Sequence, residues 1–360
     1  MSSDSASGEI SPFERAPWWQ SRFMRACRRE PVDCVPVWLM RQAGRYMPEY
    51  RQIRGSGSFL EFCKQPKLCA EVMLIAVEKL RVDAAILFTD LLVLLEPLGL
   101  QVVFAADGPM IANPIRKPED LKKLRPLRGV GTVEYVLEAV RLTRAGLPDP
   151  LPLIGFAGAP FTLASYAVEG SGKRSYTQTK RFMYSHPQAW HVLMELLTEA
   201  VCEFLRAQIE AGACAVQLFD SWVGCLGPED YRQFVLPYSR RCFEAIPPQV
   251  PAIHFATGNP ALLPLMAEAG GSVIGLDWRI GLAEAWEILG PHKALQGNLD
   301  PAVLLAPPAV IQGKVAEILL QCRGRRGYIF NLGHGVLPET PVENVQQLVA
   351  WVHELSANQS

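Results

Sequence analysis

Two arginines stand four residues apart in the segment VWLMRQAGRY, residues 37–46. Arg41 ends an apolar run, Arg45 follows it, and no acid lies between them; the nearest downstream is Glu49. A guanidinium stays charged and binds a carboxylate through two parallel hydrogen bonds, so this pair suits a ligand with more than one carboxylate. If the chain enters a helix here, the spacing places both side chains on one face. The alternative is that each pairs with an acid elsewhere, such as Glu49, because charged surface faces are common.

A lone acid, Asp90, lies in the apolar context ILFTDLLVLLEPLG. Such an acid is either the N-cap of a helix starting at LLVLLE or a carboxylate held for function with a perturbed pKa. The residues alone leave both interpretations open.

Four further side chains could take part in chemistry. Tyr166 follows GFAGAPFTLAS, where a buried tyrosine that only satisfies its hydroxyl is the usual case. No GxSxG motif surrounds Ser221 in FDSWVG, so hydrogen bonding or capping is expected rather than nucleophilic attack. His334 lies between two glycines in NLGHG, which would let the backbone approach a ligand, and both a structural and a functional role stay open. His254, inside an apolar run, is predicted to be a hydrogen-bonded core histidine.

Eight short apolar runs, separated by longer stretches, must position these side chains. Short β-rich runs that alternate with helical-period segments predict βαβ units and a parallel sheet buried on both faces. PKLCAEVMLIAVEKL and PQAWHVLMELLTEAVCEFLRAQIEAG are predicted helices that begin near prolines. Eight runs without a dividing linker favour an α/β fold with a single (β/α)8 TIM barrel. The runs are VPVWLM (35–40), DAAILF (83–88), LPLIGFAG (151–158), CAVQLFD (214–220), VPAIHFA (250–256), SVIGLDW (272–278), HKALQGN (292–298) and GYIFNLG (327–333).

In such a barrel the active site is built at the carboxyl ends of the strands. No GxGxxG or GxxxxGK[ST] motif follows the first run, which disfavours nucleotide binding. The segment LQVVFAADGPMIANPI predicts an inserted hairpin that turns near Asp107–Gly108. The polar residues at the predicted strand ends are Arg41, Asp90, GAPFTLASY (158–166), Asp220–Ser221, Thr257–Gly258, Asp277, Asn298 and the GHG around His334.

Composition bounds the class of protein. The formal net charge of −1 argues against general affinity for nucleic acid or an anionic membrane. The nine cysteines include no CxxC pair, so neither structural zinc nor a disulfide framework is indicated, and a reducing cytoplasm is expected. Residues 1–15 are Ser-rich and predicted to be disordered, ahead of one catalytic domain over 16–360. No apolar run approaches the roughly 18 residues that span a bilayer.

These motifs together resemble the uroporphyrinogen decarboxylase family. PVWLMRQAGRYMPEYR (36–51) is similar to the family's N-terminal signature, and GFAGAPFTLASYAVEG (155–170) to its second. FTDLLV, QLFDSWVG, GLDW, LQGNLDP and FNLGHGVLPETP follow in family order, so the resemblance covers about residues 16–355.

The resemblance implies a homodimeric (β/α)8 carboxy-lyase of haem biosynthesis. It would convert the four acetate side chains of uroporphyrinogen III to methyls, giving coproporphyrinogen III, with no metal or organic cofactor. Carried over by motif, the catalytic residues are Asp90, Arg41, Tyr166 and His334. The substrate-binding set is Arg41, Gln42, Ala43, Gly44, Arg45, Asp90, Tyr166, Phe219, Ser221 and His334.

Three positions depart from the family pattern. Thr257 stands where many relatives have a basic residue, and Trp222 where some have histidine. The loop Ser171–Ser175 lacks the usual glycine–serine arrangement, although Lys173 and Arg174 keep it basic.

Two other functions were weighed. A zinc-dependent corrinoid or thiol methyltransferase of the same fold group would need a His/Cys ligand set, yet neither His254 nor His334 has a cysteine two residues on. A non-catalytic tetrapyrrole-binding protein is disfavoured because Asp90, Arg41 and Arg45 are all present.

Overall fold

The computed structural model of the chain describes residues 12–105, 108–170 and 176–357. Its main feature is a parallel sheet of seven strands in the order β1-β4-β5-β6-β7-β8-β9, so the fold is α/β. The strands are β1 (Ala85–Ile86), β4 (Leu153–Gly158), β5 (Ala215–Asp220), β6 (Ala252–Ala256), β7 (Val273–Gly275), β8 (Ala294–Leu299) and β9 (Tyr328–Leu332). Every residue of these strands except Phe219 is buried, as the apolar runs predict for a sheet covered on both faces.

Helices follow the strands along the chain. They are α1 (Pro12–Arg15), α2 (Arg22–Cys27), α3 (Pro48–Arg54), α4 (Phe59–Cys63), α5 (Pro66–Leu80), α6 (Glu134–Gly146), α7 (Pro160–Glu169), α8 (Thr177–Ser185), α9 (Pro187–Glu210), α10 (Pro228–Phe234), α11 (Leu236–Glu244), α12 (Leu263–Ala269), α13 (Leu282–Leu289), α14 (Pro308–Cys322) and α15 (Val342–Ser356). Short 3-10 helices span Pro17–Gln20, Leu91–Leu95, Pro118–Lys123, Val130–Val133, Val223–Cys225, Pro260–Leu262 and Pro301–Leu305. The two helices predicted from proline starts are confirmed as α5 and α9.

The first predicted strand, residues 35–40, is reduced to a single bridge. Val37 pairs in parallel with Phe330 of β9, and the Asp83 amide donates to the Val37 carbonyl at 2.8 Å. Pro36 has no backbone N–H, so it cannot donate a hydrogen bond to a neighbouring strand. The Val37 amide donates instead to the Asp83 carboxylate at 2.7 Å. A side chain therefore replaces part of the strand pairing, which the apolar pattern does not reveal.

Polar side chains cross the interior between strands. Trp38 Nε1 donates to Gln296 Oε1 at 2.9 Å, and Gln296 Nε2 donates to Gln217 Oε1 at 3.0 Å. Both glutamines are fully buried. Because these groups satisfy one another, they tie the first run to β5 and β8 without leaving buried donors unpaired.

The inserted hairpin is confirmed as an antiparallel pair. Strands β2 (Val102–Ala105) and β3 (Gly108–Ile111) pair with Val102 opposite Ile111, while the predicted turn residue Asp107 lies outside the described residues. The Ile111 amide donates to the Gly170 carbonyl at 2.8 Å, so the hairpin docks on the end of α7.

The amino-terminal expectation is corrected at its last four residues. Pro12–Arg15 form α1 rather than a disordered segment, since Phe13 packs edge-on against Trp18 with 5.0 Å between ring centroids. Residues 1–11 lie outside the described residues. Among the helices described, none is long and apolar enough to cross a membrane.

Candidate active site

Asp90, Arg41 and Tyr166 come together beyond the carboxyl ends of the strands. Asp90 lies four residues after β1, and Tyr166 lies on α7, the helix that follows β4. The Arg41 guanidinium interacts electrostatically with both, and Tyr166 with Asp90. Three side chains that are distant in sequence therefore share one site, as the strand-end positions predicted.

Asp90 is both a cap and a perturbed acid, so the two interpretations hold together. It is the N-cap of the 3-10 helix Leu91–Leu95, and its Oδ1 accepts from the Leu92 amide at 2.8 Å. The residue is half-buried. Desolvation raises the pKa of Asp90 to about 6, against the opposing effects of the Leu92 hydrogen bond and the Arg41 charge. Its Oδ2 accepts no hydrogen bond from the described residues, which leaves it for a ligand donor.

Arg41 lies in a turn and not on a helix, which corrects the predicted shared helical face. Its φ is +61°, in the left-handed region that non-glycine residues rarely occupy, and α3 begins only at Pro48. The side chain is accessible to solvent, yet protein surrounds it closely enough that desolvation lowers the pKa of Arg41; the Asp90 charge opposes this. The Arg41 guanidinium forms no ion pair with a described carboxylate.

The glycines beside His334 make room for protein and not for a ligand, which corrects the sequence interpretation. A Cβ at Gly335 would lie 2.7 Å from Arg41 Cγ and 2.9 Å from its Nε. A Cβ at Gly333 would lie 2.8 Å from the Trp278 backbone nitrogen. The Gly335 position therefore fixes where the Arg41 stem can run.

Arg45 does not use the partner that the alternative interpretation assigned to it. Glu49 pairs instead with Lys79, 2.5 Å from its Nζ. Arg45 is exposed and, within the part of the chain described, makes no ion pair of its own. Neither arginine of the opening motif thus forms a direct ion pair with a carboxylate among the described residues, although Asp90 lies near Arg41.

The segment between the arginines has two different faces. Gln42 is fully buried: its Oε1 accepts from the Leu39 amide at 3.1 Å, and its Nε2 donates to the Ala84 carbonyl at 3.2 Å. Its backbone amide donates to the Leu39 carbonyl at 2.9 Å. The Gln42 side chain therefore holds the turn in place, whereas the resemblance implies a substrate contact through the backbone of this segment.

The next three backbone amides are different. Those of Ala43, Gly44 and Arg45 donate no hydrogen bond to any described residue. Successive N–H groups of this kind suit an anion.

Aromatic rings form one wall of the site. Trp222, after β5, packs edge-on against Tyr166 with centroids 5.9 Å apart, and its ring lies 5.7 Å from that of Tyr176. Burial raises the pKa of Tyr166 to about 12, so its hydroxyl stays protonated and can donate. Phe219 is half-buried near the end of β5, between Phe156 and Phe255 at 5.4 and 5.7 Å. The Tyr176 contact was not predicted, because nothing in its local sequence distinguishes it.

Ser221 and Thr257 are joined across two strand ends. The Thr257 hydroxyl donates to the Ser221 carbonyl at 2.7 Å. Ser221 is buried. The departing residue Thr257 therefore braces the loop after β5 and supplies no charge.

A cation after β7 was missed by the sequence analysis. The amide and Nη1 of Arg279 donate to the Asp277 carboxylate, and its guanidinium lies 4.5 Å from the Trp278 ring centroid. Asp277 is buried and also accepts from the Gly258 amide at 2.7 Å. The signal was the position of Arg279, two residues beyond a predicted strand-end acid.

The two candidate histidines have separate roles. His334 is half-buried, and its Nδ1 accepts from the Gly335 amide at 2.8 Å, which leaves the proton of the neutral ring on Nε2. His254 is fully buried with Nδ1 3.2 Å from the Met266 carbonyl. The prediction of a hydrogen-bonded core histidine at 254 is confirmed.

Two cavities lie at the opposite end of the sheet. They enclose about 370 and 530 Å³, share Arg28 and Arg29, and are lined by residues that precede β6 to β9. They contain none of the candidate site residues. Over residues 12–105, 108–170 and 176–357, no group of three His, Cys, Asp or Glu side chains could hold a metal ion. The departing loop Ser171–Ser175 lies outside the described residues.

Known proteins resemble this chain over nearly its whole length. The family described as uroporphyrinogen decarboxylase (URO-D) matches residues 19–355. The chain is 55% identical to the uroporphyrinogen decarboxylase of Carboxydothermus hydrogenoformans, over 93% of this chain and 96% of that one. It is 52% identical to the Roseiflexus sp. protein of the same name, over 94% and 99%.

A solved structure of lower identity supports the fold alone. A methyltransferase from Methanosarcina mazei superposes with a TM-score of 0.77 at 24% identity, over 93% of this chain and 98% of that one.

Replacing Asp90 with asparagine should make the protein more stable at neutral pH. Asparagine is also a good N-cap, so the Leu92 contact survives while a desolvated charge is removed. An acid whose pKa is raised on folding destabilises the folded state as pH rises from about 4 to about 6, by about 1.4 kcal/mol per pH unit. We therefore expect Asp90→Asn to add roughly 1–3 kcal/mol to the free energy of unfolding at pH 7.5 and little at pH 4.5.

Urea unfolding at both pH values measures this difference. Asp300→Asn, a change at another capping aspartate, controls for the effect of asparagine as a cap. An equal loss of stability at both pH values would show that Asp90 only caps the helix.

Proposed function

This chain belongs to the uroporphyrinogen decarboxylase family, and from that membership we propose that it converts uroporphyrinogen III to coproporphyrinogen III in haem biosynthesis. The carboxyl groups of four acetate side chains leave as carbon dioxide, and methyl groups remain. One observation carries the proposal: a half-buried carboxylate, Asp90, lies beside Arg41 at the strand ends, and neither Arg41 nor Arg45 forms a direct ion pair with a described carboxylate. A substrate with eight carboxylates would supply partners for such ion pairs.

The chemistry needs an electron sink. Breaking the bond between the acetate carboxyl and its methylene leaves an electron pair, which a neutral pyrrole cannot accept. Protonation of the adjacent pyrrole carbon makes the ring cationic, so that the pair moves into the ring as carbon dioxide departs. A second proton then completes the methyl group and the ring proton is returned, which balances one proton consumed for each carbon dioxide released.

Asp90 stabilises the cationic ring. Its free Oδ2 would accept from pyrrole N–H groups. Its negative charge would interact more strongly with the cationic ring than with the neutral substrate. That difference lowers the barrier rather than only tightening binding. The low solvent access that raises its pKa also strengthens this interaction.

Carboxylate binding is assigned to the turn after the first run. Arg41 and Arg45 provide two guanidinium forks, and the unpaired amides of Ala43 and Gly44 provide neutral donors. Arg41 positions the reacting acetate, because a guanidinium is a weak acid near neutral pH and a poor proton donor. Arg279 lies one strand away from Thr257, the position where many family members carry a basic residue, but its guanidinium is paired with Asp277.

The remaining site residues orient the macrocycle. Tyr166 donates through its protonated hydroxyl, and His334 orients another substrate group. Phe219 packs against the ring system, and Ser221 offers its hydroxyl beside it.

The architecture is proposed in the same terms. Residues 16–360 form one domain, with residues 35–40 as the first strand of an eight-stranded barrel. By family resemblance the protein is a cytoplasmic homodimer that needs no metal or organic cofactor. Anaerobic incubation of metal-free protein with uroporphyrinogen III, followed by chromatography, tests the activity directly; retention of all eight carboxyl groups would contradict it.

Asp90→Asn should keep binding and lose most turnover. The amide can still face pyrrole N–H groups but has no charge for the cation, so we expect kcat to fall at least 100-fold with KM within about fivefold. In the wild-type enzyme kcat/KM should decline as pH falls through about 6, because protonation of Asp90 removes the charge. That decline should be absent from the residual activity of the variant. Wild-type turnover by Asp90→Asn would show that Asp90 only caps the 3-10 helix and takes no part in catalysis.

Arg41→Lys should lower kcat/KM at least tenfold. A single ammonium cannot reproduce a two-point fork or reach the same position. Arg54→Lys, at an arginine that lies over Phe59 instead of beside Asp90, is a matched control. Full activity in Arg41→Lys would show that Arg41 is an ordinary surface charge with no part in substrate binding.

Gly335→Ala should act through Arg41 without touching substrate. The added methyl would overlap the Arg41 stem, so the guanidinium must move; we expect kcat/KM to fall roughly tenfold. Gly313→Ala, where an added Cβ meets nothing within 4 Å, is the control. Unchanged kinetics for both would show that the stem position does not matter.

A further inference from the structure

Asp220 and His254 form a fully buried pair behind the site. Asp220 is the last residue of β5 and His254 the middle residue of β6, and the side chains of both are 0% exposed. Asp220 Oδ2 and His254 Nε2 lie 3.8 Å apart. Neither atom has a hydrogen-bond partner among the described residues.

The protonation of His254 follows from its other nitrogen. Nδ1 lies 3.2 Å from the Met266 carbonyl, which can only accept, so Nδ1 carries a proton. In a neutral ring Nε2 is then a bare lone pair. It would face a bare carboxylate oxygen inside the protein, where two opposed acceptors are costly. One proton, bound to either of the two atoms, removes the conflict.

The other oxygen of Asp220 leads to the cleft. Oδ1 accepts from the Thr162 hydroxyl at 3.3 Å, and the same hydroxyl accepts from the Trp222 amide at 3.4 Å. Trp222 is the ring that packs on Tyr166 and Tyr176. Hydrogen bonds thus join Asp220, which lies against His254, to the aromatic wall.

We propose that Asp220 and His254 share one buried proton and, through Thr162, act as positioning residues that hold Trp222 in the wall of the cleft. The pair carries no net charge whether the proton resides on oxygen or nitrogen. Loss of the proton would leave a buried negative charge without a compensating partner. The link to turnover rests on the proposed function, whereas the shared proton does not.

None of the other described groups that interact electrostatically with Asp220 is a cation. These groups are Tyr231 on α10, Cys242 on α11 and Cys225 at the end of the 3-10 helix before α10. Burial raises the pKa of each of these groups, and the pKa of Cys225 reaches about 11, so all are uncharged at neutral pH. Desolvation raises the pKa of Asp220 as well, in keeping with a retained proton.

Nitrogen-15 NMR of histidine-labelled full-length protein tests the shared proton. We expect His254 ring-nitrogen shifts that do not change between pH 5.5 and 8.5. Asp220→Asn should preserve the pair, since its amide donates to Nε2 and its oxygen still accepts from Thr162. His254 ring-nitrogen shifts that change over this pH range would overturn the proposal.

Fluorine NMR of fluorotryptophan-labelled protein, with Trp222→Phe for assignment, tests the link to the wall. Thr162→Val should shift the Trp222 resonance and lower kcat/KM roughly tenfold, while the His254 spectrum stays unchanged. Thr162→Ser should restore both readouts to within about threefold of wild type. A Trp222 resonance unmoved by Thr162→Val would overturn the positioning role.

Asp220→Leu removes both contacts and should move the Trp222 and His254 signals together. If that variant fails to fold, Asp220→Asn and the two Thr162 variants still decide the matter. If the wild-type protein shows the expected spectra but does not turn over uroporphyrinogen III, the proposed function fails and the shared proton stands.

Discussion

The site depends on the partial burial of one carboxylate, that of Asp90, which disfavours its charged form. Asp90 is desolvated enough for its pKa to reach about 6, and the Leu92 amide and the Arg41 charge offset that only in part. An oxygen left without a protein donor in such a place becomes strongly attractive to a ligand that carries N–H groups and gains positive charge. Strain in the turn at Arg41 and the missing Cβ at Gly335 both bring a cation near this acid without letting the two form a closed ion pair.

That arrangement requires the first run to be held by side chains. A regular strand would continue straight past Arg41. Here the Asp83 carboxylate accepts from the Val37 amide, and the Gln42 side chain accepts from the Leu39 amide and donates to the Ala84 carbonyl. The chain can then turn sharply while its buried polar groups remain paired. The next three backbone amides, those of Ala43, Gly44 and Arg45, donate no hydrogen bond to a described residue, and they follow directly after Gln42. The turn that replaces a regular strand therefore also leaves the backbone amides that could bind an anion.

Features governed by local pattern were predictable from the sequence, and features set by distant partners were not. Seven of the eight apolar runs form strands, and the hairpin and the helices α5 and α9 appear where periodicity and prolines indicated. Grouping Asp90 with Arg41 followed from strand-end positions. The pairing of Glu49 with Lys79 did not, because Lys79 is 30 residues away on another helix.

The glycines beside His334 show the same limit. Their small size signals a close approach, but only the folded chain shows that Arg41 and Trp278 approach them. The sequence likewise does not reveal that the Gln42 side chain is buried and hydrogen-bonded within the protein.

Two strand-end aspartates show why position alone could not assign roles. Asp90 and Asp220 both follow apolar runs, and desolvation raises the pKa of each. Asp90 keeps one oxygen unused and half-open, so its charge is available to a ligand. Asp220 is fully buried 3.8 Å from His254, and in our proposal this pair retains one proton and carries no net charge. The two environments therefore suit two chemically identical groups to different proposed roles, Asp90 toward the substrate and Asp220 toward the wall of the cleft.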